Sequence, residues 1–443
     1  MLTGAWLGPR GSRREAVACT AWESRRKVCG GGRDCQRDCV PGTRRVTIAG
    51  TNQWTLLRLL SPEGFGAAGR HSMDDEARSP GSLDPLRARG PRRRSPWGRH
   101  YGRDVHEDGH EAQSHAPTYA ALDLGTNNCR LLVARPTAES FRVVDAFSRI
   151  IRLGEGVSGS GQISAAAIDR ALDALTVCRD KMHNRRVTRA RLIATEACRA
   201  AGNGMDFIAR VRDRVGLDLE VIDRGTEAEF AATGCAPLVD PQTDGVILFD
   251  IGGGSSELVS MASAGSPAGP AWPVIHAWAS LPVGVVTLAE RHGGINVDRA
   301  LFEIMVGEVA AYVDPFISEQ GVSRNSDRIH LLGTSGTVTT IAGVHLELRR
   351  YDRRYVDGCW MSNEQISAVV ERLLAMTYEE RVANPCIGAE RADLVLAGCA
   401  ILEAIRRAFP CKRLRVADRG LREGMLVQMM REDGVWKAPA SVS

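Results

Sequence analysis

The chain has 443 residues, 44% hydrophobic and 25% charged, a soluble globular balance spread over more length than one ordinary domain needs. Its net charge of +4 is too small to define a polyanion-binding surface over the whole chain. There is no run of 18 apolar residues to predict a membrane-spanning helix, and MLTGAWLGPRGSRR turns basic too early for a secretory signal.

The small total hides a split. Residues 1–116 carry 20 Lys+Arg against 13 Asp+Glu, which leaves the remainder net acidic. This segment is rich in Arg, Gly, Pro and Ser and has no sustained apolar period, so it is expected to be disordered. Only Trp54 to Leu60 suggests a turn of helix. Three readings stay open: a basic tail for nucleic acid or another polyanion centred on Arg92, Arg93 and Arg94, a segment without function, or an over-long translation start with Met73 downstream. Cys19, Cys29, Cys35 and Cys39 lack the CxxC pairs of a zinc ribbon and read as unpaired thiols. Cys198, Cys399 and Cys411 read as buried free thiols, in keeping with a reducing compartment.

From Tyr119 the texture changes. YAALDLG is a buried strand ending in a glycine turn, CRLLVARP the returning strand, and FRVVDAFSRIIRL a third. Ser164 caps a helix whose apolar residues recur every three to four positions. ARLIATEA then reads as strand, MDFIARVRDRVG as helix, LDLEVID as strand and EAEFAATGCAPL as helix. GVILFDIGGGSSELVSM repeats the strand–turn–strand opening. Helices follow near 297–319, 335–347, 362–375 and 388–408, with strand RIHLLG between the first two. The order strand–turn–strand–strand–helix thus opens twice, at Tyr119 and at Gly245, which predicts two α/β lobes over 117–240 and 241–435.

Three motifs carry chemistry. The first runs from Asp123 through Gly125, Thr126, Asn127 and Asn128 to Arg130. The second runs from Asp250 through Gly252, Gly253, Gly254, Ser255 and Ser256 to Glu257. Glycines let backbone approach a bulky ligand, successive N–H groups bind anions, and the hydroxyl and amide side chains add donors. Asp123, Asp250 and Glu257 offer hard oxygens suited to Mg2+. Two such hairpins face to face would grip one phosphate chain from both sides. The third motif, Gly333-Thr334-Ser335-Gly336-Thr337, opens a helix and reads as an anion site at its N-terminus. It is not a Walker A loop; the pattern GxxxxGK[ST] does not occur in the chain.

Together, DLGTNNCR, FDIGGGSSELV and LLGTSGTVTT resemble the fold of acetate kinase, sugar kinases, Hsp70 and actin, and within it the exopolyphosphatase/guanosine pentaphosphate phosphohydrolase (Ppx/GppA) family. RLGEGVSGSGQIS, ATEACRAAGN, SLPVGVVTLAE, GAERADLVLAG and VADRGLREGML follow in that family's order, so the resemblance covers about 117–432. It implies two actin-like, ribonuclease H-like lobes with a cleft between them, and a last helix at about 420–431 that returns to the first lobe. The HD-type C-terminal domain of longer members is not expected, which makes this the short form. The resemblance places Glu227 at the catalytic glutamate, with Glu229 where the family often has Arg. It also implies phosphate binding by Arg199.

The resemblance implies an Mg2+-assisted hydrolase with Glu227 as the base for water. The leading substrate is inorganic polyphosphate, and guanosine pentaphosphate is the rival. A phosphotransferase lacks a readable second-substrate pocket, and a non-catalytic polyphosphate or alarmone sensor would have no need of Glu227. The expected setting is the cytoplasm, with no membrane, no specific nucleic acid, and a homodimer among the assemblies allowed.

Overall fold

The computed structural model describes residues 117–262, 274–320 and 328–436; the extension expected over 1–116 lies outside them. The first sheet has five strands in the order β3-β2-β1-β4-β5. These are β1 (Tyr119–Leu124), β2 (Asn128–Pro136), β3 (Phe141–Ile150), β4 (Arg189–Ala194) and β5 (Glu220–Val221). Its helices are α1 (Val157–Ser160), α2 (Ala165–Asn184), α3 (Glu196–Ala200), α4 (Gly204–Val215) and α5 (Arg224–Cys235). The second sheet has six strands in the order β10-β11-β9-β6-β7-β8. They are β6 (Gly245–Ile251), β7 (Ser256–Ala262), β8 (Val274–Leu281), β9 (Ile329–Thr334), β10 (Trp360–Ser362) and β11 (Arg413–Ala417). Helices α6 (Val285–His292), α7 (Arg299–Gln320), α8 (Ser335–His345), α9 (Arg353–Val356), α10 (Asn363–Ala375), α11 (Tyr378–Ala383) and α12 (Val395–Ala408) follow in the second half, and α13 (Leu421–Glu432) is the last described helix.

The two sheets open alike. β1 pairs antiparallel with β2 and parallel with β4, just as β6 pairs antiparallel with β7 and parallel with β9. Parallel sheets need both faces covered, and the strands are accordingly almost continuous apolar runs. In β1 every residue but Asp123 is buried, and in β6 only Gly245 and Asp250 are not. The two aspartates are therefore polar exceptions at the C-terminal ends of apolar strands, where ligands of open α/β sheets bind.

Helices α5 and α13 cross between the sheets. Ala228, Ala231 and Cys235 of α5 pack with Val246, Leu248 and Val259 of the second sheet. Leu421, Met425 and Met429 of α13 pack with Tyr119, Ala121 and Leu132 of the first. Helix α5 thus covers the second sheet and α13 the first, and the crossing is closed by glycines. A Cβ on Gly234 would clash with the Gly420 carbonyl, and one on Gly424 with the Phe230 carbonyl.

Two expected elements are shorter than the pattern suggested. LDLEVID contributes only Glu220–Val221 to the sheet, because Leu217 and Leu219 bury into the core shared with α2 and α4. The helix expected from 388 starts at Val395. Gly388 takes a left-handed φ of 74°, and tight turns then carry the chain to Leu394. Cys198, Cys399 and Cys411 are buried free thiols, and burial pushes the first two up to about 12.

Candidate active site

The hairpins that follow β1 and β6 meet tip to tip. Gly125 N donates to Asn128 O at 2.9 Å and Gly252 N to Ser255 O at 3.0 Å, closing each turn. A Cβ on Gly253 would lie 2.9 Å from Thr126 Cβ and 3.2 Å from Asn127 N, and one on Gly254 would lie 2.8 Å from Thr126 Oγ1. The glycines of the second hairpin thus leave room for the buried Thr126 of the first.

An open cavity of about 510 Å³ runs from this meeting point into the second lobe. Asn127, Asn128 and Arg130 line it from the first lobe; Gly252, Gly253, Ser335, Gly336 and Thr337 line it from the second. These eight were singled out from sequence. Thr340, Arg391, Ile251, Val285, Leu394 and Val395 complete the lining and were not. Ser335 has a left-handed φ of 81°, a strained conformation for a residue with a side chain, of a kind that clusters at functional sites.

Four carboxyl groups crowd the hairpins. Asp123 faces Arg130 across β1 and β2, whereas Asp250 faces Glu257 across β6 and β7. Burial pushes Asp250 up to about 6 and nearby Asp123 adds to this, while Arg130 and a bond from the Ser335 hydroxyl pull the other way. Burial raises Asp123 as well, against the pull of Arg130 and Arg422. Glu257 is pushed well above the carboxylate range by burial, then by Glu227 and Asp250, although the Ser255 and Ser280 hydroxyls donate to it at 2.8 and 3.0 Å.

Glu227 lies in the first turn of α5, whose N-terminus is capped by Asp223 accepting from Thr226 N at 2.9 Å. Burial is the main cause that lifts Glu227 to about 7, and Asp123 and Asp250 add to it. Arg199 opposes them with a bond of 2.8 Å to Glu227 Oε2. Burial wins because Arg199 is shared: it also donates to Glu196 Oε2 at 3.0 Å and to Ile222 O at 2.8 Å. Glu229, two residues on, is exposed.

Several expected phosphate ligands are engaged within the protein instead. Arg199 is placed against Glu227 and Glu196, since the short α3 directs it toward α5 rather than toward the cavity. Ser255 holds Glu257, Ser256 Oγ donates to Val283 O at 2.7 Å, and Thr334 Oγ1 donates to Arg419 O at 2.6 Å. Gly333 lies under Phe249, whose Cζ would be 2.6 Å from an added Cβ. Gly254 abuts Thr126 and Glu196.

Three arginines gather beside the hairpins, and sequence reasoning identified only Arg130. Burial lowers both Arg391 and Arg422, and the charge of Arg130 lowers them further. None of the three forms an ion pair among the described residues. Unpaired guanidinium groups held together in a partly buried site suit a polyanion. Arg391 stands in GAERADLVLAG and Arg422 in GLREGML; neither spacing distinguishes a ligand-facing arginine from a solvated one.

No three His, Cys, Asp or Glu side chains among the described residues are grouped as a ready metal cage. Mg2+ does not require one, being commonly held by one or two carboxylates together with water and phosphate oxygens. The like-charged pair Asp250–Glu257 and the buried, unpartnered Oδ1 atoms of Asn127 and Asn128 are hard oxygens of the kind such a cation takes.

A model of the Ppx/GppA phosphatase family matches residues 132–433. The chain is 27% identical over 332 residues to a guanosine-5'-triphosphate,3'-diphosphate pyrophosphatase of Photobacterium profundum; the match covers 71% of this chain but only 60% of that relative's length. Among solved structures, an exopolyphosphatase-like protein superposes with a TM-score of 0.64 at 27% identity, over 72% of this chain and 98% of its own. A Ppx/GppA protein of Aquifex aeolicus gives 0.58 at 27% identity, with the same coverages. The two-lobed, actin-like α/β fold expected from the sequence is the one shared with these structures.

Proposed function

This chain belongs to the Ppx/GppA phosphatase family, and on that premise we propose that it hydrolyses the terminal phosphoanhydride of inorganic polyphosphate. The observation that carries the reading is one juxtaposition. Glu227, lifted to about 7, stands beside two anion-binding hairpins, and unpaired arginines line the cavity that leads away from them.

The reaction needs a positioned water, a base, and neutralised phosphate oxygens. Glu227 takes a proton from water as the water oxygen bonds to the terminal phosphorus and the anhydride P–O bond breaks. Its raised pKa is matched to that work near neutral pH. Arg199 fixes the orientation of the carboxylate. Backbone N–H groups of the hairpins and the guanidinium groups of Arg130 and Arg391 hold the chain. Mg2+ held by Asp250, with Asp123 and Glu257 as further oxygens, would neutralise charge on the phosphates. The reading assigns the activity to the cytoplasm.

One observation favours guanosine pentaphosphate as a second reading. Ile251, Val285, Leu394 and Val395 give the cavity lining an apolar part, and inorganic polyphosphate has no apolar group to place against it. Turnover of the purified full chain with polyphosphate, guanosine pentaphosphate and ATP, each with and without Mg2+, tests both. Phosphate release from polyphosphate supports the first reading, and a preference for guanosine pentaphosphate supports the second. Binding without turnover would leave a sensor, and turnover of ATP alone would defeat both.

A further inference from the structure

The loop after β3 ties the first hairpin to the far side of the cavity. Ile151 N and Arg152 N both donate to Asn127 O, at 2.9 and 3.1 Å, and Gly154 N donates to Thr126 O at 2.9 Å. Arg170 holds the same loop by bonds to Ile151 O and Arg152 O at 2.8 and 3.2 Å. Arg152 has a left-handed φ of 47°, costly for a residue with a side chain, and the surrounding bonds maintain it.

From this fixed base the Arg152 side chain crosses to the other lobe. It bonds both Asp393 oxygens, at 2.9 and 3.0 Å, and Glu390 O at 3.2 Å. All three acceptors lie in the tight turn that also carries Arg391. A second clasp lies alongside, where Gly156 N and Ser158 Oγ donate to Glu290 at 2.7 and 2.6 Å. Arg152 does not line the cavity, whereas Arg391 does. Arg391 is held near Arg130, and two like charges brought together resist that arrangement unless the turn is held.

We propose that Arg152 is a positioning residue for substrate: through Asp393 it sets Arg391 opposite Arg130, so that two arginines from different lobes take one phosphate chain between them. The inference rests on the phosphoanhydride reading for its substrate, but its mechanism is one of binding. Releasing the turn lowers the fraction of molecules in which Arg391 is in place, and apparent affinity falls by that fraction. A bidentate Arg–carboxylate pair is geometrically selective, so losing it removes the register and not merely a surface charge.

The test is a double-mutant cycle on the full chain, read by calorimetric binding of inorganic tripolyphosphate and by steady-state kinetics. Arg152→Gly removes the guanidinium and keeps a residue at ease with positive φ. It should weaken tripolyphosphate binding by about tenfold and raise KM similarly, with kcat within about threefold. Asp393→Asn, nearly isosteric, should do the same. Arg391→Ala should weaken binding at least as much, and adding Arg152→Gly to it should cost little more, because the two act through one contact. Exchanging the charges as Arg152→Asp with Asp393→Arg should recover part of the affinity lost in either single variant.

Unchanged affinity in both single variants would overturn the inference, as would a full tenfold loss from Arg152→Gly in the Arg391→Ala background. A wild-type chain that does not bind tripolyphosphate would overturn it too. If the wild type binds tripolyphosphate but hydrolyses no phosphoanhydride, the proposed function fails while the binding cycle still decides the role of Arg152.

Discussion

The two hairpins occupy equivalent places in duplicated sheets, yet they carry opposite chemistry. In the first, Asp123 faces Arg130, a pair of opposite charges. In the second, the same positions hold Asp250 and Glu257, two carboxyl groups directly opposite, an arrangement that destabilises a sheet when both are ionised. The tips differ as well. The first presents Thr126, Asn127 and Asn128, and the second presents three glycines, with Thr126 packed against Gly253 and Gly254. The fold repeats the shape, while the residues differ: the first half sets an arginine opposite its aspartate, and the second sets a further carboxyl group there, which demands a cation or a proton. Burial is the main cause that raises Asp250 and Glu257, with Asp123 adding to the first and Glu227 and Asp250 to the second; burial raises Asp123 as well.

The sharpest way to break this division is at Glu227, which stands beside the acidic half. Glu227→Gln keeps size and hydrogen bonding, so turnover should fall by roughly two orders of magnitude or more while binding of tripolyphosphate survives. Unchanged turnover would assign the base elsewhere. The wild-type kcat should rise with pH through about 7, as Glu227 loses its proton. Arg199→Gln removes the group that pulls Glu227 down, so that rise should move to higher pH.

Next in size are changes to the hairpins themselves. Arg130→Ala should raise KM by about tenfold with a smaller effect on kcat, because it removes a grip on substrate rather than the base. Gly253→Val places side-chain atoms where Thr126 and the Asn127 backbone already stand. It should weaken binding and lower the melting temperature together, because it drives the hairpins apart. A loss of binding with unchanged melting temperature would mean that the glycine serves the ligand alone.

The smallest expected effect has the opposite sign. Asp250 has a folded pKa of about 6 against an ordinary 3.8, so between those values the folded chain binds more protons than the unfolded chain. Its contribution to stability is therefore present at low pH and lost as pH rises from about 4 through 6. In chelator at pH 8, Asp250→Asn should melt a few degrees above the wild type, and the difference should vanish near pH 4. Excess Mg2+ should narrow the gap by stabilising the wild type. A variant less stable than the wild type at pH 8 would show that burying the Asp250 carboxylate is not a source of instability.

What the sequence by itself determined was local. The apolar strands, the glycine turns, the Ser164 cap and the repeated opening follow from spacings of a few residues, so the two-lobed fold and both hairpins were legible. Glu227 was reached through the order of motifs along the chain, and the acidic set Asp123, Asp250 and Glu257 through its place at strand ends. The tertiary structure alone decided what long separations bring together. Arg199 reads as a phosphate ligand until α3 and α5 place it on Glu227, 28 residues away. Gly253 reads as room for a ligand until Thr126 is found against it. Arg152 meets Asp393 across 241 positions. A lone arginine in an unremarkable segment has no period and no motif. Its role depends on which partner the packing of two distant lobes sets within about 3 Å of it, and sequence spacing does not encode that distance.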